Sequence, residues 1–201
     1  MTTIALAESP PREIELDDYD MPGSYSRTIH DEIWMRRLNL LVVGGTSSGK
    51  TTWMRAFLRP IERVMRIVSI EDTSELRLDP ESCVALHATP LVSQLRLVKI
   101  AMRLRPDRLV IGEIRDEAAR AMIQSFGTGH PGCCTVHGGT LKQGLVRVQQ
   151  LSGMEVGMIA DVIHYAILME RDPITGKRAP TDFARVSHAD NHFVLTSIER
   201  T

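Results

Sequence analysis

The residues with the clearest chemical potential lie between positions 44 and 52, where the chain reads GGTSSGKTT. Gly44, Gly49, Lys50 and Thr51 have the spacing of the phosphate-binding pattern G-x-x-x-x-G-K-[ST]. In that pattern, backbone N–H groups and a helix N-terminus surround a phosphate, Lys50 can reach its β- and γ-oxygens, and the Thr51 hydroxyl can ligate Mg²⁺. A chance match in a Gly/Ser hairpin is the alternative, but the apolar run before it argues against this. The predicted nucleotide-binding residues are Gly44, Gly45, Thr46, Ser47, Ser48, Gly49, Lys50, Thr51 and Thr52.

Carboxylates follow two further apolar runs. Glu113 comes after Leu-Val-Ile at 109–111 and Gly112, so a buried strand would deliver its carboxylate to the edge that carries the phosphate loop. An acid there can hold the water shell of Mg²⁺ or polarise an attacking water. A cap of the next helix is the alternative; a buried ionised Glu113 needs a partner such as Mg²⁺ or Arg115. Glu71-Asp72 ends another such run, where a helix cap is the more ordinary interpretation.

The histidines and cysteines of residues 130–137 have a spacing that suggests zinc, H-x-x-C-C-x-x-H. Adjacent residues of a strand point to opposite faces, so Cys133 and Cys134 cannot easily face one metal. A polar sensor or an ordinary loop histidine is the favoured interpretation of His130 and His137.

Alternating elements must position these side chains. Apolar and β-branched runs predict strands at 38–43, 66–70, 84–87, 109–111, 134–137, 165–169 and 193–198. Helical spacing predicts helices at 50–58, 91–103, 117–126, 141–151 and 155–163, with Asp116 as a cap. Strands that alternate with helices favour an α/β fold with a mainly parallel sheet, ligands at its carboxyl edge and a strand-rich C-terminal end. Residues 29–201 are predicted to form this domain after an acidic, weakly ordered tail, 1–28.

Composition narrows the class of protein. The 201 residues are 43% hydrophobic and only 4% aromatic, which predicts one aliphatic core. The net charge is −1 and no dense basic block occurs, so no dedicated nucleic-acid surface is expected. Three cysteines, two of them adjacent, disfavour a disulfide framework. Without a signal-peptide pattern or a long apolar run, we expect a soluble, cytoplasmic protein.

Four motifs in order resemble the secretion-superfamily traffic ATPases, the type II/IV secretion ATPase family. They are GGTSSGKTT, RIVSIEDTSEL, MRLRPDRLVIGEIRDEAA and TGHPGCCTVHGG. They are similar to the family's Walker A loop, acidic box, Walker B strand and His box, and they cover about residues 38–151. GHPG before T-V-H resembles the type IV secretion and conjugal-transfer branch, the TrbB type.

The resemblance implies a RecA-like P-loop NTPase domain that hydrolyses ATP with Mg²⁺. It implies a hexameric ring, formed by self-association, at the cytoplasmic face of the inner membrane, docked on secretion-channel proteins. ATP hydrolysis would then energise substrate export or pilus assembly.

The resemblance also implies roles for individual residues. Lys50 would hold the phosphates and Thr51 the Mg²⁺, which agrees with the interpretation of the P-loop pattern alone. Glu113 would be the catalytic carboxylate and would reach Mg²⁺ through water. Glu71 and His137 are assigned only by resemblance, Glu71 to support the metal or the water and His137 to sense the γ-phosphate. Arg115 would be a charge partner near that site.

Three departures from the family pattern affect the expected activity. Ser47 stands where the family usually has glycine, and Gly138-Gly139 follow His137 where Ala-Asn is common. Short sequence before the P-loop strand suggests that the family's N-terminal domain, which supplies arginines across the ring, is absent or comes from a partner. We therefore expect a slow ATPase in isolation. The alternative is an ATP-binding assembly module or fragment that scarcely hydrolyses; a P-loop kinase would need a lid and an acceptor site that the sequence does not reveal.

Overall fold

A computed structural model describes residues 14–19, 21–79 and 81–201. Eight strands form one sheet, in the order β3-β2-β4-β5-β1-β6-β7-β8. The strands are β1 (Leu40–Gly44), β2 (Ile67–Glu71), β3 (Cys83–His87), β4 (Arg108–Ile111), β5 (Gly132–His137), β6 (Tyr165–Arg171), β7 (Arg178–Ala189) and β8 (His192–Ser197). β1 to β6 run parallel to one another, β7 is antiparallel to β6, and β8 is antiparallel to β7. The predicted α/β fold with a mainly parallel sheet is confirmed.

Helices cover both faces of the sheet. They are α1 (Gly23–Thr28), α2 (Lys50–Leu58), α3 (Gln94–Arg103), α4 (Ala118–Gly127), α5 (Leu141–Ser152) and α6 (Val156–Ala160). Side chains of α3, α4, α5 and α6 form one core with the face that carries Val43 and Ile111. Side chains of α2 and of the N-terminal segment form the second core with the face that carries Val42 and Val110. Both faces of the parallel strands are therefore buried, which explains their unbroken apolar runs.

The strand order brings the carboxyl ends of four parallel strands together. β4, β5 and β1 are consecutive neighbours and β2 lies on the far side of β4. The register pairs Gly44 at the end of β1 with His137 at the end of β5. Residues that are far apart in sequence therefore meet at one edge of the sheet, as expected for a ligand site in an open α/β sheet.

The described part of the N-terminal segment packs against the domain, which corrects the prediction of a loose tail for residues 14–19 and 21–28. A short 3₁₀ helix, Leu16–Tyr19, precedes α1, and a π-helix, Ile29–Met35, follows it. Tyr19 and Tyr25 are only 7% and 2% exposed and belong to the core on the α2 face. Residues 1–13 lie outside the described residues. Two tyrosines thus anchor a segment whose acidic composition suggested a tail.

Three other expectations differ from the structure. β7 runs from Arg178 to Ala189 where no strand was predicted, because only some of its residues are buried and its apolar alternation is weak. The predicted helix at 155–163 is the short α6, Val156–Ala160. Asp116 has a φ of 45° and does not cap α4, whose N-cap is Glu117 without a side-chain hydrogen bond. None of the helices in the described ranges is long and apolar enough to cross a membrane.

Candidate active site

A cleft of about 540 Å³ opens at the carboxyl edge of the sheet. It is lined by Thr46, Ser47, Ser48, Gly49, Lys50, Thr51, Thr52, Glu71, Asp72, Thr73, Glu75, Gly112, Glu113, Arg115, Thr135, His137 and Arg178. Gly44 and Gly45 join β1 to this loop. The structure therefore brings residues 46–52 of the predicted nucleotide loop and the four predicted side chains at the other strand ends around one space.

The loop after β1 has the shape of a phosphate cradle. Gly49 has a φ of 92°, and α2 begins at the next residue, so the amide groups of the first turn face the cleft. A Cβ on Gly44 would lie 2.4 Å from Ser48 Oγ and 2.5 Å from the Met169 carbonyl oxygen, so only glycine fits there. The pattern's two fixed glycines are thus explained by space and by backbone conformation.

Lys50 lies inside this loop. Its Nζ donates hydrogen bonds to the carbonyl oxygens of Gly44, at 2.9 Å, and Gly45, at 2.7 Å. Burial lowers the pKa of Lys50, while the negative charges of Glu113 and Glu75 oppose that shift. The ammonium group is therefore held at the base of the cleft, with carbonyl partners that an arriving phosphate can replace.

Glu113 is paired through both carboxylate oxygens. His137 Nε2 lies 2.9 Å from Oε1, and Arg115 Nη2 lies 3.0 Å from Oε2. Arg115 Nη1 also lies 2.6 Å from Asp72 Oδ2. The hydrogen bond to Glu113 raises the pKa of Arg115, so its guanidinium stays charged. The four residues form one connected polar network at the ends of β2, β4 and β5, in which both oxygens of Glu113 have a partner.

Glu71 is buried, and one of its oxygens has a structural partner. Its Oε1 accepts hydrogen bonds from the backbone N–H groups of Glu75, at 3.1 Å, and Leu76, at 2.9 Å. The sequence favoured a helix cap for an acid at this position, but among the described residues no helix lies between β2 and β3, and Glu71 caps a turn instead. Glu71 also lines the cleft, so its predicted support of the metal or the water stays a prediction.

Three polar residues at the site were missed by the sequence reasoning. Gln94 donates to the Glu113 carbonyl oxygen at 2.7 Å and accepts from the Arg115 N–H at 3.2 Å, which holds the turn after β4. Thr135 donates to the Gly112 carbonyl oxygen at 2.5 Å. Arg178 reaches the loop from β7. Gln94 and Arg178 come from a helix start and an unpredicted strand, so no local signal marked them.

The donor atoms suit Mg²⁺ better than a softer metal. The Thr51 hydroxyl lines the same cleft as the carboxylates of Glu71, Asp72 and Glu113, and hard cations prefer such oxygens. Among the described residues, no group of three or more His, Cys, Asp or Glu side chains could hold a metal ion. Mg²⁺ usually binds with few protein ligands and keeps phosphate and water oxygens, so this donor set fits it.

The four residues with zinc-like spacing do not form one group. Cys133 lies in the core on the α2 face and Cys134 in the opposite core. His137 ends β5 at the cleft, whereas His130 precedes the first residue of that strand, Gly132. The geometric argument against a shared metal site is thereby supported, and His137 is the histidine at the cleft.

Comparison with known proteins agrees with this arrangement. The sequence profile described as "Type II/IV secretion system protein" matches residues 2–183. The chain belongs to this family. It is 38% identical over 175 residues to a probable conjugal transfer protein TrbB of Sinorhizobium fredii, covering 81% of this chain and 54% of that protein. It is 34% identical over 198 residues to the conjugal transfer protein TrbB of Rhizobium radiobacter, covering 90% of this chain and 60% of that protein.

Solved structures of secretion ATPases share the fold. The VirB11 ATPase of the Brucella suis type IV secretion system, in complex with sulphate, superposes with a TM-score of 0.71 at 24% identity, covering 81% of this chain and 52% of that chain. The pilus retraction motor PilT with bound ADP gives a TM-score of 0.68 at 21% identity, covering 94% and 55%. The RecA-like fold is confirmed. The chain spans 54% and 60% of the length of the two TrbB relatives.

Within the secretion family, Ser47 is a departure with a structural consequence. Its φ is 59°, so the serine has the left-handed conformation that glycine adopts more easily. We expect Ser47→Gly to raise the free energy of unfolding by about 0.5 to 1 kcal/mol, because the relief of strain exceeds the entropy that glycine adds to the unfolded chain. Urea unfolding measures this. Ser48→Gly is the control, since Ser48 has no positive φ and should gain nothing; equal gains would contradict the assignment of strain to Ser47.

The second departure from the family pattern, Gly138-Gly139, has a packing reason. A Cβ on Gly138 would lie 2.9 Å from both the Gly144 nitrogen and Val43 Cγ1, so α5 approaches too closely for alanine. Gly139 donates its N–H to Gln143 Oε1 at 2.9 Å. These contacts hold the loop after His137, and slower turnover from this departure stays a prediction.

Proposed function

We propose that this chain is the ATP-hydrolysing motor domain of a type IV secretion or conjugation system. The observation that carries the proposal is the convergence of Lys50, Thr51, Glu113 and His137 on one cleft. Membership of the secretion family and the likeness to TrbB relatives support the same function. In this proposal ATP hydrolysis energises substrate export or pilus assembly.

The nucleotide binds through its phosphates. The amide groups at the start of α2 hold the β-phosphate, and Lys50 Nζ moves from the Gly44 and Gly45 carbonyl oxygens to the β- and γ-oxygens. The Thr51 hydroxyl, together with the phosphates, would hold Mg²⁺, which would supply positive charge for the negative charge that develops on the leaving group. The γ-phosphate then lies toward the ends of β4 and β5.

The γ-phosphate changes the pairing of Glu113. The negative charge of the γ-phosphate competes with Glu113 for Arg115 and His137, which contact the two carboxylate oxygens of Glu113. Once released, Glu113 accepts a proton from a water whose oxygen attacks the γ-phosphorus. The bond from that phosphorus to the β–γ bridging oxygen breaks, and ADP and phosphate leave. Glu71 supports the water, and His137 senses whether the γ-phosphate is present.

The finer parts of the proposal concern assembly. We propose that the chain self-associates into a ring, as the motif resemblance implies, and docks on membrane-embedded secretion-channel proteins at the cytoplasmic face. An active site that borrows charged groups from a neighbouring subunit would turn over slowly as a monomer, because stabilisation of the transferred phosphoryl group is worth orders of magnitude. Slow activity at low protein concentration belongs to the same proposal.

A second candidate function is a nucleotide-binding assembly module with little hydrolysis. The specific observation in its favour is that both oxygens of Glu113 already have partners, Arg115 on one and His137 on the other. If ATP does not release Glu113, the chain would bind nucleotide and change its association without breaking the phosphate bond. The two candidate functions predict different rates of ATP turnover but the same binding of nucleotide.

The deciding experiment measures Mg²⁺-dependent ATP turnover at increasing protein concentrations, with the Lys50→Ala variant in parallel. We expect a rate that rises more steeply than linearly with concentration, because the complete site forms between subunits, and a loss of about 100-fold or more in Lys50→Ala. ATP binding with no turnover at any concentration would favour the assembly module. Turnover that persists in Lys50→Ala would contradict the nucleotide site itself.

A further inference from the structure

The hairpin between β6 and β7 lies beside the nucleotide loop and contacts it through Arg178. β6 is parallel to β1, with Gly44 opposite Met169, and it continues for two residues beyond that pair to Arg171. Asp172 fixes the turn, since its Oδ1 accepts the N–H groups of Ile174, at 2.8 Å, and Thr175, at 2.7 Å. Arg178 is the first residue of β7 and pairs with Arg171. An ordered turn therefore presents Arg178 beside the loop.

Arg178 contacts the loop at two points. Its Nε donates a hydrogen bond to the Ser47 carbonyl oxygen at 2.9 Å. Its methylene groups lie on Gly49, where an added Cβ would come 2.7 Å from Arg178 Cδ. Gly49 is therefore needed both for its positive φ and for the space that the arginine occupies. The hydrogen bond between Arg178 and Ser47 joins residues 131 positions apart.

The hydrogen bond acts at the strained residue of the loop. Ser47 has the left-handed φ of 59°, and the planar trans peptide points its carbonyl oxygen and the next N–H in opposite directions. Holding the Ser47 carbonyl toward Arg178 therefore turns the Ser48 N–H away from Arg178 and toward the inside of the loop, 3.4 Å from the Gly45 carbonyl oxygen. Arg178 thus stabilises a loop conformation that would be less favourable without this hydrogen bond.

The rest of the guanidinium is available to a ligand. Arg178 lines the cleft, and within residues 14–19, 21–79 and 81–201 no hydrogen bond or ion pair joins its Nη1 or Nη2 to the protein. Arginine presents these nitrogens in a planar fork that matches phosphate oxygens. A nucleoside di- or triphosphate in the cleft supplies such oxygens next to the loop.

We propose that Arg178 is a nucleotide-positioning residue that acts from within the same chain. Its Nε–H keeps the Ser47 carbonyl in place so that the loop retains its phosphate-binding shape, and its terminal nitrogens contact the phosphates. This inference rests on the proposed nucleotide site but does not require that the chain hydrolyse ATP. It predicts an effect on nucleotide affinity rather than on bond cleavage, because Arg178 contacts the loop and not Glu113.

The test compares nucleotide binding by the full chain and three variants, with fluorescent N-methylanthraniloyl ADP and ATP in the presence of Mg²⁺. We expect Arg178→Gln to weaken both nucleotides about tenfold, as loss of a charge-assisted contact to phosphate would. Arg178→Lys keeps the charge but loses the fork, and about a threefold weakening is expected. Arg171→Gln removes the same charge from the opposite strand of the hairpin, outside the cleft lining, and should stay within about twofold of the wild type.

A positioning role has a further signature in turnover. Arg178→Gln should raise the KM for ATP about tenfold with kcat within about twofold. The melting temperature without nucleotide should fall by no more than about 4 °C, because one hydrogen bond to the loop is lost. Affinity within twofold of the wild type, an equal loss in Arg171→Gln, or a loss confined to kcat would overturn the inference. If Arg178→Gln does not fold, Arg178→Lys decides by the same affinity criterion. If the wild-type chain binds ADP but shows no turnover, the proposed ATPase function is contradicted and the inference about Arg178 is not. If the wild-type chain binds no nucleotide, both the proposed function and the inference are contradicted.

Discussion

Replacing Glu113 with glutamine is expected to lower kcat for ATP hydrolysis by about 100- to 1,000-fold, the usual contribution of a general base. Glutamine keeps the size of the side chain and an oxygen that Arg115 or His137 can contact, so the loop and the turn after β4 should keep their geometry. The amide cannot accept the proton of the attacking water. ATP affinity should therefore change by no more than about threefold, since Glu113 does not contact the loop that binds the phosphates.

The measurement combines steady-state turnover with nucleotide binding on the same preparation of Glu113→Gln. Glu117→Gln is the matched control, because Glu117 is exposed beyond the turn, at the start of α4, and lines no part of the cleft. Unchanged turnover in Glu113→Gln would remove Glu113 from its proposed role. A large loss of ATP affinity together with turnover would instead indicate that the Glu113–Arg115 pair holds the site together.

The local chemistry of the site was predictable because it depends on short patterns. Gly44, Gly49, Lys50 and Thr51 identify the loop by spacing alone, and the apolar runs before Gly44 and Gly112 identify the strands that carry it and Glu113. The fully buried parallel strands make such runs unmistakable, since neither face meets water.

The partners of these residues were less predictable, because they depend on strand order. Glu113 and His137 contact each other only because β4 and β5 are neighbours, which the alternation of strands and helices does not specify. The same holds for Arg178, whose strand has a mixed pattern with buried Phe183 and Ala184 among exposed residues. Composition also misled: acidic residues suggested a tail, but Tyr25 provides enough apolar area to anchor it.

The motif MRLRPDRLVIGEIRDEAA contains the string RPDR, residues 105–108, for which the sequence suggested no role. The structure gives a role to its last residue. Arg108 begins β4 and is only 3% exposed. Its Nη2 donates to the carbonyl oxygens of Ile33 and, at 2.8 Å, Trp34, and its Nη1 donates to that of Leu38 at 3.3 Å. Burial lowers its pKa to about 10, so the group remains charged at neutral pH. Arg108 therefore fastens the π-helix and the approach to β1, the strand that carries the nucleotide loop.

Arg108→Met is expected to lower the free energy of unfolding by about 3 kcal/mol, because two buried carbonyl oxygens and one partly buried carbonyl oxygen lose their donor at about 1 kcal/mol or more each. The substitution also removes a charge whose burial costs free energy, and this effect acts in the opposite direction. Removing one side of a buried polar arrangement nevertheless destabilises, whereas only replacement of both sides by apolar groups is often neutral. With a total stability of about 5 to 15 kcal/mol, a loss of this size is a large fraction of the whole.

Urea unfolding of Arg108→Met measures the effect, and the midpoint should fall by about 1 to 2 M if the slope is near the usual value for a domain of this size. Arg105→Met makes the same substitution three residues earlier, at an exposed side chain of the same motif, and should leave the midpoint nearly unchanged. A midpoint for Arg108→Met that matches this control would mean that water or backbone adjustment replaces the lost donors. Arg108 would then contribute little to the stability of the fold. The expected loss would instead show that this buried arginine, which lies outside the cleft lining, stabilises the strand that leads into the cleft.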